Sequence, residues 1–327
     1  MALFDMPLPE LESYAPELAE PDDIDVFWQG TLEETRAHPL DLVIEQVDNG
    51  LTLVTSYDVT FSGFGGDRIR GWLHVPAGTT GRLAGVVEFH GYSGGRGLAH
   101  ENVAWALAGH AQLTVDTRGQ GWGWRTNATA DPSPHAGLTA GQGTMTSGIL
   151  DPSTYYYRRV FADAVRAIDA MAQVPLVDPE RIVVTGISQG GGIAIAASAL
   201  TDHRLLGAMI DVPFLCHFER ALAITDADPY NEIVRYLKRD RAAADRALAT
   251  LRYFDGAILA RRATTPTLFS VALMDPICPP STVYAAFNRW GGESKQIVVY
   301  PFNGHEGGAE FHQAEKYRWL ERMLSAG

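Results

Sequence analysis

Cysteine is scarce in this chain, with only Cys216 and Cys278 among 327 residues. Two cysteines are too few for a disulfide scaffold, so the fold must depend on a hydrophobic core. An apolar fraction of 46% is ample for such a core. A single bridge between the two cysteines stays open at this point, but we expect two buried or idle thiols in a reducing compartment.

Basic residues are also in short supply, with 26 Lys and Arg against 39 Asp and Glu and a net charge of −13. This balance argues against nucleic acid or an anionic membrane as a partner, and we interpret it as favouring solubility. No hydrophobic run approaches the length of a membrane span. The first seven residues lack the basic region and apolar core of a signal peptide, so we expect a cytoplasmic protein.

Metal and nucleotide motifs are missing as well. Neither His100-Glu101 nor His305-Glu306 extends to H-E-x-x-H, and no Cys/His cluster has ligand spacing. No Walker loop or G-x-G-x-x-G follows a predicted strand. We therefore expect neither a metal nor another cofactor, and we find no internal repeat and no linker.

One stretch does carry a recognisable chemistry. A short β-branched run ends in Gly186-Ile187-Ser188-Gln189-Gly190, and an Ala-rich helical run follows. Strand, G-x-S-x-G and helix in this order are typical of the nucleophile elbow, a tight turn that holds a serine above the sheet edge. A chain with 33 glycines can contain the pentapeptide by chance, so the flanking strand and helix are what favour a nucleophile.

The surrounding pattern predicts an α/β fold. From residue 85, strands expected at 86–89, 113–116, 181–186, 208–212, 267–273 and 296–300 alternate with helices expected at 98–108, 158–172, 190–200, 282–290 and 310–324. Such alternation favours a mostly parallel sheet covered by helices on both faces. Upstream, residues 22–36 are expected to be helical, and residues 51–61 and 69–75 to form an antiparallel hairpin.

Three stretches stand apart from this alternation. Residues 1–50 form an acidic, proline-punctuated extension, and residues 119–157 form a long loop of a length that is often functional. Residues 214–263 are charged and helical, and we expect them to form a cap-like insertion partly over the active site. We predict a single domain over residues 1–327 that carries these additions.

Two further residues complete a candidate catalytic triad with Ser188. Asp275 follows the strand expected at 267–273, and His305 lies in a Gly-rich loop after the strand expected at 296–300. The chain order Ser, Asp, His is that of α/β-hydrolases, so we predict this fold. Serine then needs its histidine as general base and its aspartate as the orienting acid.

Each partner has competitors in the sequence. Asp116 and Asp211 also end predicted strands, where an aspartate more often caps a helix or bonds a loop. His90 and His110 are alternative bases, but both precede the serine. Asp275 is preferred because it alone precedes the candidate histidine by one strand.

The oxyanion hole needs one N–H from the residue after the nucleophile, which is Gln189, and another from an earlier loop. Phe89-His90-Gly91-Tyr92-Ser93-Gly94-Gly95 follows a strand and is similar to the H-G-G type of loop, with Tyr92 as the expected donor. The alternative for this loop is a glycine turn with no catalytic part.

Together, these residues resemble family seven of the carbohydrate esterases, the acetylxylan esterase and cephalosporin C deacetylase group. Its signatures R-G-Q, G-x-S-Q-G and H-E are matched by residues 118–120, 186–190 and 305–306. Residues 90–92, 154–158 and 274–283 also look like the family. The likeness runs from about Trp28 to the C-terminus, and the ordered set is specific where any one signature is not.

The resemblance implies an intracellular α/β-hydrolase that removes acetyl groups from small acetylated sugars and from cephalosporin C. It implies Tyr92 and Gln189 as backbone oxyanion donors, and a ring-like hexamer whose active sites face an internal cavity. The expected structural supports near the site are Arg118, Gln120 and Glu306. The segment 121–124 is more aromatic than the family pattern, so the candidate pocket residues are Trp122 and Trp124.

Other functions stay open from the sequence. One is a serine hydrolase with a different acyl or alcohol specificity, such as an aryl or short-chain esterase or a peptidase. Another is a non-catalytic ligand-binding protein on the same fold. A large peptidase of this fold would need a gating domain, and a lipase would need a more apolar lid than residues 214–263 offer.

Overall fold

The computed structural model describes residues 5–134 and 143–326, and the strands of these ranges form one nine-stranded sheet. They are β1 (Val43–Val47), β2 (Val54–Ser62), β3 (Arg68–Pro76), β4 (Leu83–Phe89), β5 (Ala111–Val115), β6 (Val177–Ile187), β7 (Gly207–Asp211), β8 (Thr267–Ala272) and β9 (Lys295–Tyr300). Their order across the sheet is β1-β2-β3-β5-β4-β6-β7-β8-β9. The first three pairings are antiparallel and the rest are parallel, which confirms both the hairpin and the mostly parallel sheet.

Helices connect these strands. In the described residues they are α1 (Leu8–Glu12), α2 (Ile24–Arg36), α3 (Ala104–Leu107), α4 (Tyr156–Ala172), α5 (Gln189–Leu200), α6 (Phe218–Ile224), α7 (Tyr230–Arg239), α8 (Ala244–Arg252), α9 (Gly256–Leu259), α10 (Pro280–Arg289) and α11 (Ala309–Ala326). None of these helices is both long enough and apolar enough to cross a membrane.

The hydrophobic core lies on both faces of the sheet. Successive strand residues point to opposite faces, and here each face has its own cluster. The smaller cluster joins the sheet to α3 and α11 through Val86, Trp105, Val183, Met209, Leu268, Trp319 and Leu320. The larger cluster includes the neighbouring strand residues and joins them to α4, α5 and α10 through Val87, Val160, Val184, Ile193, Ile210, Phe269 and Val283. The parallel strands are therefore buried on both sides, as their near-continuous apolar sequences predict.

The helix expected at residues 98–108 is wrong over its first half, since only Ala104–Leu107 is α-helical. Asn102 adopts a left-handed backbone conformation with φ of 54°, which ends any helix that reaches it. Its side-chain amide donates hydrogen bonds to Glu88 at 2.9 Å and Thr114 at 3.2 Å. Residues 98–103 are thus a turn that is hydrogen-bonded to the sheet, and the helical spacing of apolar residues does not predict those bonds. Strand β1 was not predicted either.

The predicted irregular regions have clear counterparts. Residues 214–263 contain α6 to α9, and the described parts of the predicted loop, 119–134 and 143–155, contain neither helix nor strand. Residues 135–142 of that loop lie outside the described residues. Both cysteines are buried free thiols, as expected.

Candidate active site

Ser188 lies in the turn between β6 and α5, with φ of 58° and ψ of −120°. This conformation is unfavourable for a residue with a side chain, so the surroundings must hold it. The Ser188 N–H donates to the carbonyl of Asp211 at 2.9 Å, and its carbonyl accepts from Phe214 N at 2.9 Å and Gly192 N at 3.1 Å. Three backbone hydrogen bonds therefore fix the elbow.

The glycines around Ser188 have a steric reason. A Cβ atom on Gly186 would overlap the backbone of Gly190, and one on Gly190 would overlap the carbonyl of Phe89. Helix α5 thus begins too close to β4 and β6 for any side chain at these positions. The G-x-S-x-G spacing follows from this close approach.

Ser188, His305 and Asp275 are brought together by the ends of β6, β8 and β9. The His305 Nε2 atom lies 2.9 Å from Ser188 Oγ, and its Nδ1 atom lies 2.8 Å from Asp275 Oδ2. The other Asp275 oxygen accepts backbone N–H bonds from Ile277 at 2.8 Å and Cys278 at 3.0 Å. Asp275 is fully buried, so its orientation is fixed by these bonds. The geometry is that of a serine nucleophile, an imidazole base and an orienting carboxylate.

The competing residues occupy other positions. Asp211 forms an ion pair with Lys316 at 2.6 Å, beneath the elbow, and its other oxygen lies 3.0 Å from His312 Nε2. Asp116 accepts backbone N–H bonds from Arg96 and Ala128, so it holds loops together. Burial lowers the pKa of His90 to about 3, which keeps this imidazole neutral. His110 precedes β5, so it lies at the amino ends of the parallel strands, whereas Ser188 lies at their carboxyl ends.

The candidate oxyanion donors flank the nucleophile. Gln189 is the first residue of α5, where a backbone N–H has no acceptor within the helix. Tyr92 lines the same cavity as Ser188, and no described residue accepts a hydrogen bond from its N–H. The loop comes close, because a Cβ atom on Gly91 would lie 4.0 Å from Ser188 Cβ. Within the described residues, neither N–H group has an acceptor outside its own helix or loop, which an oxyanion donor requires.

Arg118 and Gln120 are both buried behind this loop. The Arg118 guanidinium contacts Asp163 at 2.6 and 2.8 Å and Asp67 at 2.7 Å, which ties the loop after β5 to α4. The Gln120 side chain accepts from Ser93 N at 2.8 Å, next to Tyr92. These contacts join the loop after β5 to α4 and to the loop that contains Tyr92.

Glu306 follows His305 in the loop after β9. Its carboxylate accepts a hydrogen bond from the Asn303 side chain at 2.9 Å, at the exposed end of the loop. The backbone N–H of Glu306 itself, and then this bond from Asn303, lower the pKa of the Glu306 carboxyl. In the structure Glu306 braces the histidine loop and does not touch Ser188 or Asp275.

The two tryptophans differ in position. Trp124 lines the cavity of about 360 Å³ that contains Ser188 and His305. Its indole N–H donates to the carbonyl of Tyr92 at 3.1 Å, while half of the side chain stays exposed. Trp122 packs edge-on against the Tyr92 ring at 5.7 Å and does not line this cavity.

Sequence reasoning missed several residues of the site. The cavity is also lined by Asp228, Pro229 and Ile277. Asp228 and Pro229 precede α7, so part of the helical insertion does reach the active site, though no local motif reveals which part. The fully buried Cys278 thiol interacts with the Ser188 hydroxyl, and burial raises its pKa well above the usual range.

One cluster could be considered for a metal. Ligand atoms of Asp275, Cys278 and His305 all lie within 4.8 Å of one another. The same His305 and Asp275 atoms are engaged in the hydrogen bonds described above, and the buried Cys278 favours the neutral thiol, which is a poor ligand. The donor set suits hydrolysis by serine better than metal binding.

The family model of acetyl xylan esterase matches residues 1–323. The curated acetyl esterase Axe7A of Xylanibacter ruminicola is 25% identical over 333 residues, with 95% of this chain and 70% of that protein covered. The solved acetyl xylan esterase from Paenibacillus sp. R4 is 39% identical with a TM-score of 0.88, covering 97% of this chain and 99% of that one. Acetyl xylan esterase 1 from Thermoanaerobacterium sp. JW/SL YS485 is 31% identical, with the same TM-score of 0.88 and the same coverage of 97% and 99%. These likenesses confirm the predicted α/β-hydrolase fold.

Proposed function

Because the chain belongs to the acetyl xylan esterase family, it is a serine esterase that deacetylates carbohydrates, and we propose that Ser188, His305 and Asp275 perform the reaction. The observation that carries this proposal is the continuous hydrogen-bonded chain from Ser188 Oγ through the imidazole to the buried carboxylate, with distances of 2.9 and 2.8 Å. Both distances lie within hydrogen-bond reach, so the imidazole can take the hydroxyl proton while the carboxylate orients the ring.

The reaction begins with proton transfer. His305 Nε2 takes the hydroxyl proton while Ser188 Oγ attacks the acetyl carbonyl carbon. The backbone N–H groups of Tyr92 and Gln189 bind the oxyanion that forms, and each such donor contributes about 3–4 kcal/mol of transition-state stabilisation. His305 then donates the proton to the sugar oxygen, which leaves as an alcohol.

Deacylation repeats these steps with water. His305 takes a proton from water, the resulting hydroxide attacks the acetyl-enzyme, and acetate leaves as Ser188 Oγ recovers its proton. Asp275 holds the imidazole in the tautomer with the proton on Nδ1 and stabilises the imidazolium. Its two backbone hydrogen bonds keep the carboxylate in place during both steps.

The proposed substrates are acetylated xylo-oligosaccharides and other small acetylated sugars, together with cephalosporin C. The names of the relatives and the resemblance support the sugars, and the resemblance alone supports the antibiotic. The open cavity beside Ser188 suits a small ester, and the half-exposed Trp124 ring offers a flat surface for the apolar face of a sugar.

We also propose that the enzyme acts in the cytoplasm as a hexamer. The resemblance supports both statements. Sedimentation equilibrium would test the assembly, since a mass of about one chain, 35.6 kDa, would contradict it. Fractionation of the native cells would test the location.

The activity is tested by acetate release from acetylated xylo-oligosaccharides and from cephalosporin C, with Ser188→Ala as the control. We expect rapid release from both substrates and a loss of several orders of magnitude in kcat in the variant. Activity near that of the wild type in Ser188→Ala would overturn the assignment. Turnover of p-nitrophenyl acetate alone would keep the triad and favour an esterase of different specificity.

A further inference from the structure

The Tyr92 side chain is held from the far side by the helical insertion. Its hydroxyl donates to both carboxylate oxygens of Glu232, at 2.9 and 3.0 Å. The same hydroxyl accepts the backbone N–H of Thr144 at 2.6 Å, and Glu232 accepts that of Met145 at 3.2 Å. Three separate segments, the loop after β4, the loop before α4 and helix α7, therefore meet at one phenol oxygen.

This meeting point is closely packed. Gly143 has φ of 70°, and a Cβ atom there would overlap both the Glu232 carboxylate and the Tyr92 hydroxyl. Glu232 is itself buried, with 6% of its surface exposed. The carboxylate therefore has little freedom to turn toward solvent or toward another donor.

Among the residues that the structure describes, the buried Glu232 carboxylate has no cationic partner. It forms no salt bridge with any residue in the described ranges, and the nearby Arg235 pairs with Asp228 at 2.7 Å. The titratable and charged groups that face it from the surrounding elements are Tyr92, Tyr155, Tyr157, Asp228 and Arg235. Burial is the main reason why the pKa of Glu232 is raised to about 7.

We propose that Glu232 is a positioning residue of the esterase, which in its ionised form holds the oxyanion loop in its active geometry through the Tyr92 hydroxyl. The inference rests on the proposed function, because it takes the Tyr92 N–H as an oxyanion donor. Tyr92 is fixed at two points, by Glu232 at its hydroxyl and by Trp124 at its carbonyl. The bonds to Glu232 and Trp124 therefore both help to set the direction of the Tyr92 N–H.

Ionisation matters because a hydrogen bond to a carboxylate is about twice as strong as one to a neutral acceptor. When Glu232 takes up a proton, the Tyr92 hydroxyl loses its charged acceptor and the loop loses that restraint. A displaced donor binds the oxyanion poorly but affects the bound substrate less, so the loss should appear in kcat more than in KM.

The test is the ratio of kcat between the wild type and Glu232→Gln, measured as acetate release across pH. Division cancels every effect of pH on kcat that the two proteins share. We expect a ratio of about ten at high pH, because a small displacement of a catalytic donor costs about that much or more. The ratio should fall to about one in acid, with its midpoint near the Glu232 pKa of about 7.

Tyr92→Phe supplies a second and independent variant. It keeps the ring and the backbone N–H but lacks the hydroxyl, so the ratio of wild-type kcat to its kcat should rise with pH about the same midpoint. The ratio should stay above one in acid, because the Thr144 N–H also loses its acceptor. Adding it to Glu232→Gln should cost less than the product of the two separate losses, because both changes weaken the same bond between Tyr92 and residue 232. Glu219→Gln is the control, since this exposed carboxylate lies on α6 and pairs with Arg252. It should leave kcat unchanged.

The role of Glu232 would be overturned if, for either variant, the ratio of wild-type kcat to variant kcat stayed constant with pH or equalled one throughout. If Glu232→Gln fails to fold, as a thermal melt would show, the wild type and Tyr92→Phe pair decides alone. Failure of the proposed function is seen separately, as activity that persists in Ser188→Ala.

Discussion

The side-chain amides of Gln120 and Gln189 pair with each other in both directions. Gln120 Nε2 lies 2.8 Å from Gln189 Oε1, and Gln189 Nε2 lies 3.1 Å from Gln120 Oε1. The same pair reaches the loop after β4, where Gln120 accepts from Ser93 N and Gln189 donates to the carbonyl of His90 at 3.2 Å. The two chain segments proposed to bind the oxyanion are therefore joined by one buried amide pair.

Gln120→Leu should lower kcat by about 10- to 100-fold with little change in KM. The change removes the acceptor of the Ser93 N–H and both bonds between Gln120 and the Gln189 amide, which keeps Tyr157 and the His90 carbonyl as partners. Both proposed donors therefore lose part of their alignment while the nucleophile keeps its base. Steady-state kinetics with p-nitrophenyl acetate measures the effect. Gln29→Leu is the matched control, because Gln29 is exposed on α2, where its side chain bonds that of Glu33. Equal kcat in the two variants would contradict the prediction.

Gly190→Ala should destabilise the protein by more than the roughly 1–3 kcal/mol of ordinary overpacking, since the new methyl group would overlap the backbone carbonyl of Phe89. Backbone at the start of α5 cannot move without disturbing Ser188. Gly30→Ala is the opposite control. Gly30 lies within α2 with nothing near its Cβ position, so alanine there should stabilise the helix by about 0.5–1 kcal/mol. Urea unfolding measures the free energy of unfolding of both variants, which should fall in Gly190→Ala and rise in Gly30→Ala.

The candidate site could be predicted from sequence wherever the chemistry is local. Ser188, Asp275 and His305 each follow a strand of a parallel sheet, so their order along the chain places them at one edge. Glu232 could not be found this way, because it is 140 positions from Tyr92 and only the packing of α7 brings the two together. Likewise, the helix expected at 98–108 begins only after Asn102, because the Asn102 side chain bonds Glu88 on β4. The local sequence does not show that this bond forms.

Lys316→Met should cost about 3–5 kcal/mol of unfolding free energy at neutral pH, because it leaves a buried carboxylate without its lysine partner. Asp211 pairs with Lys316 at 2.6 Å directly beneath the elbow. Burial alone would raise the Asp211 pKa, but the charges of Lys316 and His312 outweigh it and lower the pKa to about 2.

The sign of the pH dependence follows from that lowered pKa. The ion pair contributes its full stability above the pKa of the unfolded chain, which is about 3.9 for aspartate. The contribution is lost as pH falls through the folded value of about 2. The difference in stability between wild type and Lys316→Met should therefore shrink between about pH 4 and pH 2. Lys238→Met, at an exposed position on α7, should show no difference at any pH.

Trp124→Ala should raise KM for acetylated xylo-oligosaccharides by about 2- to 10-fold, which corresponds to the roughly 0.5–1.5 kcal/mol of an aromatic contact. Trp122→Ala should change KM less, because Trp122 packs edge-on against the Tyr92 ring and does not line the cavity. For p-nitrophenyl acetate, which has no sugar, Trp124→Ala should leave KM nearly unchanged and lower kcat slightly through the lost bond to the Tyr92 carbonyl. Equal increases in KM for both esters would mean that Trp124 shapes the acetyl site, and the proposed sugar contact would then be wrong.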